Sequence, residues 1–450
     1  MESEIKKIHH DLICGIRSCH DLVHEKLSLL EKNEHATVNL LLKDYALSLA
    51  EQKDRKIAAG EPFGLLEGIP FGIKDVILLQ NTVATCGSSF LQNYLSPYTA
   101  TAVQKLIDEG AIPVVKENCD SFSHSNSIEI HAFGASGPVY GSDKVTRGSM
   151  GSAVNVAKQF TVFSIGDDTG GSILQASGFN KIYGLKPTFG SVSRYGCMTS
   201  STGCIGPFAT SLEDIRIIIN AISGKDKKDN STCSSKPIPE TVFSPDYPAK
   251  NITVGYFTNF IANENPYMTV QNDFQKMIDR LSSNGIHIKP LDFFDVNVLV
   301  STYYALAMAE TASDLAKLDG TVYGSRSTSH PSQNAKDAYM TTRSENFTDE
   351  TKRRIIAGNQ LLSQGYHRDI YIKAQTLAHS MIKRMNEVFD NVDIVLSPNS
   401  HDAFTTWTSL GGYPALTVPF FTPSGIQIAA NKHKEDLILN FAHALKDKQP

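Results

Sequence analysis

The chain has 450 residues, a mass of 49.2 kDa and a formal net charge of −5. Hydrophobic residues make up 41% and charged residues 20% of the sequence, which allows a large packed core and excludes gross disorder. A protein that grips a nucleic-acid backbone by itself usually carries a basic excess. The acidic balance therefore argues against that class and predicts that any nucleic acid is held by a partner.

The cysteines and the apolar segments restrict the cellular compartment and the class of protein further. Seven cysteines are present without any C-x-x-C pair, which argues against a disulfide framework or a zinc cage and favours a reducing compartment. No stretch reaches the ~18 uncharged apolar residues that a membrane span needs. The nearest, residues 296–309, is predicted to be a buried helix. The N-terminus lacks the apolar segment of a secretory signal, and its acidic residues make it a poor transit peptide.

The predicted elements change character near residue 60. Residues 1–60 are charge-rich, have apolar residues at helical spacing, and predict an N-terminal helical region. Residues 61–450 are predicted to form one α/β domain, because strands then alternate with helices. In chain order we predict strands at 68–79, 111–115, 160–165, 182–185, 252–256, 392–396 and 415–419, and helices at 100–109, 153–160, 270–284 and 349–363.

Three further segments are distinctive in composition. Residues 121–201 are dominated by Gly, Ser and Thr, yet apolar strands interrupt them, which predicts tight loops around a site rather than a linker. Residues 224–240 are polar and predict a surface loop. Residues 320–347 are polar again and predict an exposed excursion.

Residues that could take part in catalysis occur in three short motifs: GIKD at 72–75, RGSMGS at 147–152 and GDDTGGSI at 166–173. Taken singly, a lysine after apolar residues is usually a surface lysine, and a Gly-Ser tract is usually a turn. Together they suggest more, because a serine preceded by two glycines can sit where backbone N–H groups converge as an oxyanion hole. A serine needs a base, and without a G-x-S-x-G elbow a buried, neutral lysine is the alternative.

Several segments, in the same order, resemble the amidase-signature family of Ser-cisSer-Lys hydrolases. They are GIPFGIKD, TCGSSFLQNYLSPYTATAVQKL, GDDTGGSILQASGF, YGLKPTFGSVSRYG, KRRIIAGNQLLSQGY and GGYPALTVP. SVSRYG and the KRRI…SQGY helix are most similar to the A subunits of glutamyl-tRNA(Gln) amidotransferases. The resemblance implies an α/β amidase-signature fold, with a large mixed, mostly parallel central sheet covered by helices on both faces.

The resemblance also implies roles for residues in the three motifs. Ser172 matches the nucleophile, Lys74 the catalytic lysine, and Ser149 the bridging serine, which in the family has a cis peptide bond. The oxyanion loop corresponds to Thr169, Gly170 and Gly171. The loop around Ser149 is one residue shorter than the family pattern, so an alternative alignment places Gly148, which has no hydroxyl, at the bridge.

Three residues further along the chain match the glutamine-binding positions of the family: Tyr303, Arg354 and Asp402. Their chemistry suits an amino acid, since a guanidinium pairs with an α-carboxylate and a carboxylate with an α-ammonium group. Tyr304 and Arg353 are one-residue alternatives. We expect no metal site. His124 and His131 are rival bases but are predicted to be polar loop histidines.

The implied activity is the hydrolysis of glutamine, with ammonia passing to a partner that converts Glu-tRNA(Gln) to Gln-tRNA(Gln). The resemblance implies a hetero-oligomer with a B-type subunit and a small third subunit, with tRNA, ATP and Mg²⁺ on the partner and no cofactor on this chain. A stand-alone amidase acting on a small amide and a catalytically degenerate scaffold subunit remain alternatives. We expect the mitochondrial matrix as the location, with a bacterial cytoplasm as the alternative.

Overall fold

A computed structural model describes residues 2–124, 134, 136–140, 148–198, 200–243, 251–260, 268–327 and 334–446. The prediction for His131 and the part of the polar excursion at 328–333 lie outside these residues.

Eleven strands of the described chain form one sheet, in the order β1-β3-β2-β4-β6-β5-β10-β11-β9-β7-β8. They are β1 (Val38–Leu41), β2 (Pro70–Lys74), β3 (Ile112–Glu117), β4 (Phe163–Asp168), β5 (Tyr183–Lys186), β6 (Cys204–Ala209), β7 (Thr253–Phe257), β8 (His287–Leu291), β9 (Ile394–Pro398), β10 (Ala415–Val418) and β11 (Ile426–Ala430). The α/β class and the mixed sheet are confirmed.

The expectation that most strands run parallel is wrong. Parallel pairing is confined to β2–β3, β2–β4, β7–β8 and β7–β9, and the other neighbours in the sheet pair antiparallel. One cause lies in short connections: the turn between β10 and β11 returns the chain directly beside itself, and such hairpins are antiparallel. Parallel pairs occur where a longer helical segment intervenes.

Fourteen α-helices accompany the sheet in the described residues. They are α1 (Glu4–Ile13), α2 (Cys19–Glu31), α3 (Lys43–Ala58), α4 (Thr101–Asp108), α5 (Met150–Ala157), α6 (Ser172–Phe179), α7 (Leu212–Ile222), α8 (Met268–Ser283), α9 (Val296–Asp314), α10 (Ala335–Asn346), α11 (Asp349–Leu362), α12 (Ile372–Phe389), α13 (Asp402–Gly411) and α14 (Glu435–Lys446). In the part of the chain that the structure describes, none is long and apolar enough to span a membrane.

Both faces of the sheet are buried, as expected. On β9, Ile394 and Leu396 join one apolar cluster, whereas Val395 joins another that contains Leu299 of α9 and Trp407 of α13. Successive strand residues point to opposite faces, so the two clusters are the two sides of the sheet. The sheet is therefore a rigid, doubly covered platform for side chains at its strand ends.

The segments predicted to be irregular contain more structure than their composition suggests. Residues 1–60 include β1, which pairs antiparallel with β3 at the edge of the sheet. The polar excursion contains α10, which buries Thr342 and is followed by the buried Phe347. The Gly/Ser tract contains α6, a helix whose SILQASGF sequence has no clear amphipathic pattern because nearly all of its residues are buried.

Candidate active site

Three side chains meet at the end of the parallel strands β2 and β4. Lys74 is the last residue of β2, Asp167 lies near the end of β4, and Ser149 immediately precedes α5. Lys74 Nζ lies 2.8 Å from Ser149 Oγ and 2.5 Å from Asp167 Oδ1. All three residues have no exposed surface. The lysine is thus a buried group in direct contact with a hydroxyl, as predicted, and not a surface lysine.

The protonation of this lysine differs from the sequence-based expectation. Burial is the largest single effect and lowers the pKa of Lys74, but Asp167, together with smaller effects of neighbouring groups, raises the pKa above its ordinary value. The prediction that desolvation alone keeps the amine neutral is therefore wrong. The raised pKa and the close contact both favour an ammonium form of Lys74 paired with Asp167.

Ser149 makes the contact with the lysine that a bridging hydroxyl requires, but within the described residues it has no hydrogen bond to Ser172. Its Oγ accepts a hydrogen bond from Lys74 and donates one to the carbonyl oxygen of Asp167 at 3.1 Å. A hydroxyl has one proton and two lone pairs, so one lone pair remains for a further donor. All peptide bonds of the described residues are trans, so the cis bond expected at Ser149 is not found.

Ser172 is the first residue of α6 and lies beside the same loop. The preceding Gly171 has φ of +120°, a conformation that residues with a side chain rarely adopt, and this turn brings β4 directly into the helix. A Cβ placed on Gly148 would lie 2.6 Å from Ser172 Oγ and 3.5 Å from Lys74 Nζ. The Ser172 hydroxyl and the Lys74 amine therefore both lie close to the backbone of Gly148, where a side chain would intrude.

The oxyanion loop is held together by Asp168. Its carboxylate accepts hydrogen bonds from the amides of Gly171 at 2.7 Å, Ile173 at 2.8 Å and Leu174 at 3.3 Å. Gly171 N–H is thus used inside the loop. Within the described residues, no acceptor binds the amides of Gly170 and Ser172. Those two amides are the donors that remain for an oxyanion.

One cavity of about 450 Å³ joins Ser172 and the loop before it to the residues predicted to bind substrate, whereas Lys74 and Ser149 lie behind its lining. Among the residues that line it are Gly148, Asp167, Thr169, Gly170, Gly171, Ser172, Gln175, Tyr303, Tyr304, Arg354 and Asp402. The sequence-predicted oxyanion and substrate residues and the nucleophile therefore share one pocket, although they come from segments more than 200 residues apart.

The one-residue alternatives have different environments. Arg354 is buried and lines the cavity, with its guanidinium 5.5 Å above the ring of Tyr304. Both arginines pair with Glu350, but the side chain of Arg353 is 60% exposed whereas that of Arg354 is 8% exposed. Both tyrosines line the cavity: burial raises the pKa of each phenol, and a Cβ on Gly170 would clash with the hydroxyl of Tyr303.

Asp402 is fixed by two side chains that sequence reasoning did not single out as its partners. Tyr304 donates to Asp402 Oδ2 at 2.5 Å, and Gln175 Nε2 donates to Oδ1 at 2.9 Å. Gln175 Nε2 also lies 3.0 Å from Thr405 Oγ1, whose own proton is donated to Gly170 O. Because Thr405 must accept there, the amide orientation of Gln175 is determined. Gln175 lies one helical turn after Ser172, and this spacing is the sequence feature that could have placed Gln175 in the site.

The described histidine of the pair, His124, is not supported as a base. His124 lines the cavity and its Nε2 lies 3.2 Å from Thr311 Oγ1. Burial, followed by the charge of Arg354, lowers the pKa of His124 to about 3. It is therefore a neutral polar group of the pocket wall.

Filling the space at Gly148 should disable the nucleophile. We expect Gly148→Ala to lower the labelling rate of Ser172 by a fluorophosphonate about 100-fold, since a displacement near 1 Å costs that much in reactivity. Gly137→Ala is the matched control, because a Cβ there meets no atom of the described residues within 4 Å. Equal labelling of the two variants, measured by mass spectrometry, would contradict the close approach.

Comparison with known proteins agrees with this geometry. The profile of the Amidase family matches residues 22–416. The A subunit of glutamyl-tRNA(Gln) amidotransferase from Trichodesmium erythraeum is 35% identical, over 98% of this chain and 97% of that protein.

Solved structures have the same architecture. The crystal structure of the A subunit of glutamyl-tRNA(Gln) amidotransferase from Thermotoga maritima has a TM-score of 0.70 and 27% identity, over 87% of this chain and 85% of that one. The peptide amidase of Stenotrophomonas maltophilia, at 22% identity, has a TM-score of 0.79 over 100% of this chain and 97% of that one, and shows the fold alone. The chain is an enzyme of the amidase family, as the motifs around Lys74, Ser149 and Ser172 predicted.

Proposed function

We propose that the chain is the glutaminase subunit of a glutamyl-tRNA(Gln) amidotransferase. The observation that carries the proposal is the presence of Arg354 and Asp402 in the same cavity as Ser172. A simple amide needs neither charge, whereas glutamine needs a cation for its α-carboxylate and an anion for its α-ammonium group. The similarity to amidotransferase A subunits along nearly the whole chain supports the same substrate.

The chemical step begins when Lys74 has lost its extra proton. Ser172 Oγ attacks the side-chain carbonyl carbon of glutamine, and its proton passes to Ser149, which delivers its own proton to Lys74 Nζ. The contact of 2.8 Å between Lys74 and Ser149 supports this relay. The C–N bond then breaks, and the relay returns the proton to the departing ammonia. Water hydrolyses the remaining γ-glutamyl ester and regenerates Ser172.

The charge that develops on the carbonyl oxygen needs fixed donors. The amides of Gly170 and Ser172 fulfil this role in the proposal, and Asp168 keeps the loop in shape through three backbone N–H groups. Donors held in this way need no reorganisation during the reaction. Loss of one such donor typically costs about 2.7–4 kcal/mol.

The partners are part of the same proposal. Ammonia leaves for a B-type subunit that holds the tRNA and binds ATP and Mg²⁺, and a small third subunit completes the hetero-oligomer. The net charge of −5 supports a tRNA site on the partner. We propose the mitochondrial matrix as the location and keep a bacterial cytoplasm as the alternative.

Three amides distinguish this function from a stand-alone amidase. The complex, purified from its native source, is given glutamine, 4-carbamoylbutanoate without the α-amino group, and 4-aminobutanamide without the α-carboxylate. We expect ammonia release from glutamine only, and formation of Gln-tRNA(Gln) when ATP and Mg²⁺ are present. Comparable hydrolysis of all three amides would favour the stand-alone amidase. A γ-glutamyl adduct on Ser172 would exclude the degenerate scaffold.

Arg354 and Arg353 offer a matched pair for testing the headgroup site. We expect Arg354→Gln to raise the KM for glutamine about 10- to 100-fold, because a hydrogen bond to a charged group contributes about 1.5–3 kcal/mol. Arg353→Gln should leave KM unchanged, since its side chain points to solvent. Steady-state ammonia release measures both values. Equal KM values for the two variants would remove Arg354 from the site.

A further inference from the structure

The ion pair of Lys74 and Asp167 is built into the sheet. β2 and β4 are parallel neighbours, with Ile73 opposite Ile165, so the ends of both strands lie at one edge. Lys74 Nζ and Asp167 Oδ1 are 2.5 Å apart, and neither side chain has exposed surface. Ser123 Oγ donates to the same carboxylate oxygen at 3.1 Å. The carboxylate therefore has a fixed place between the lysine and the pocket wall.

Other ionisable groups also face the lysine. Cys119 and Asp120, from the segment after β3, lie near Lys74, and the thiol of Cys197 lies near both Lys74 and Asp167. Burial raises the pKa of both thiols, so they stay neutral. Asp167 is thus the anion in direct contact with the amine, and its charge has the largest effect that opposes burial.

A base held in this way has two requirements that conflict. Its nitrogen must stay against Ser149, which a short contact to Asp167 secures. It must also lose a proton before it can accept one from the serine relay, and a neighbouring carboxylate makes that loss harder. Removal of the carboxylate should therefore ease deprotonation and loosen the position of the amine at the same time.

We propose that Asp167 is a positioning residue that holds Lys74 Nζ against Ser149 Oγ and retains the proton on the resting lysine, so that Ser172 becomes reactive only as the pH rises. The base role of Lys74 in this inference rests on the proposed function. The proton that leaves the resting lysine goes to solvent base, and no other reactant is needed.

The test follows the reactivity of Ser172 against pH in the full chain. The rate of labelling by a fluorophosphonate is measured from neutral to alkaline pH in the wild type and in Asp167→Asn. Removal of the negative charge lowers the pKa of Lys74, so we expect the rising part of the profile to move to lower pH by about one unit. The labelling rate relative to the plateau should then be about tenfold higher on the acidic side, with a lower plateau.

Two further variants keep the result interpretable. Asp167→Ser leaves room for water beside the lysine and should shift the profile in the same direction if Asp167→Asn does not fold. Ser123→Ala removes a hydrogen bond to the carboxylate but keeps its charge, and should leave the rising part in place. A folded Asp167 variant whose profile coincides with the wild type would overturn the proposal, because a merely structural carboxylate would not change the pH dependence.

The experiment distinguishes a wrong glutaminase proposal from a wrong proposal for Asp167. Fluorophosphonate labelling needs no glutamine, so a shifted profile supports the role of Asp167 even if the wild type releases no ammonia from glutamine. Glutamine hydrolysis with an unshifted labelling profile would instead preserve the proposed function and reject Asp167 as the residue that retains the proton.

Discussion

Ser172→Ala should abolish ammonia release from glutamine, with a loss of about 10⁴-fold or more, while the fold is retained. Residues that act as one catalytic unit show losses of this size when the nucleophile is removed. Alanine fits the site because only one oxygen is deleted at the start of α6, where Asp168 still holds the loop through backbone amides. Ammonia release and the thermal unfolding temperature measure the two parts of the prediction.

Ser200→Ala is the control for this experiment. Ser200 lines the same cavity, and its Oγ lies 3.1 Å from Thr202 Oγ1. We expect this variant to keep normal turnover. Retained glutaminase activity in folded Ser172→Ala would end the nucleophile assignment, and equal losses in both variants would show that any change of the pocket wall disturbs the reaction.

Lys74→Arg should have the second large effect, again a nearly complete loss of ammonia release. Arginine cannot become neutral at a working pH, so it cannot accept the serine proton. The positive charge beside Asp167 would be kept, which separates the loss of the base from the loss of the ion pair. Single-turnover formation of the γ-glutamyl adduct on Ser172 measures the step directly, and near-normal turnover would reject the base role.

Lys116→Arg controls for the strain of placing arginine in a buried site. Lys116 is also fully buried and forms an ion pair with Asp75 at 3.1 Å, but its Nζ donates to the carbonyl oxygen of Ile77, whereas that of Lys74 contacts Ser149. We expect both variants to be destabilised and only Lys74→Arg to lose adduct formation below its unfolding temperature. If adduct formation falls in parallel with stability in both, the effect of Lys74→Arg is structural.

The catalytic motifs could be predicted because their chemistry is local in sequence. A serine after two glycines and a lysine at the end of an apolar run suggested a site, and the family resemblance then gave Ser172 and Lys74 their predicted roles. Asp167 could not be assigned to the lysine in this way. Its role depends on β2 and β4 being neighbours, and the order of strands in a sheet is a tertiary property.

The same limit explains the errors about the sheet. The strands at 111–115 and 415–419 were predicted from their apolar residues and are present as β3 and β10. The directions of these strands were not predicted, because antiparallel pairing of β10 with β5 depends on the path of the whole chain. β1 was missed, since four half-buried residues in a charge-rich region show no period that distinguishes a strand.

The pairing of β1 with β3 makes the N-terminal region part of the catalytic body. β3 lies between β1 and β2, and β2 carries Lys74, so the first strand of the chain is two strands away from the base. Without β1, an uncovered row of backbone donors and acceptors on β3 would invite pairing with foreign chains. β1 therefore protects this edge of the sheet, because it occupies hydrogen-bonding groups that β3 would otherwise expose.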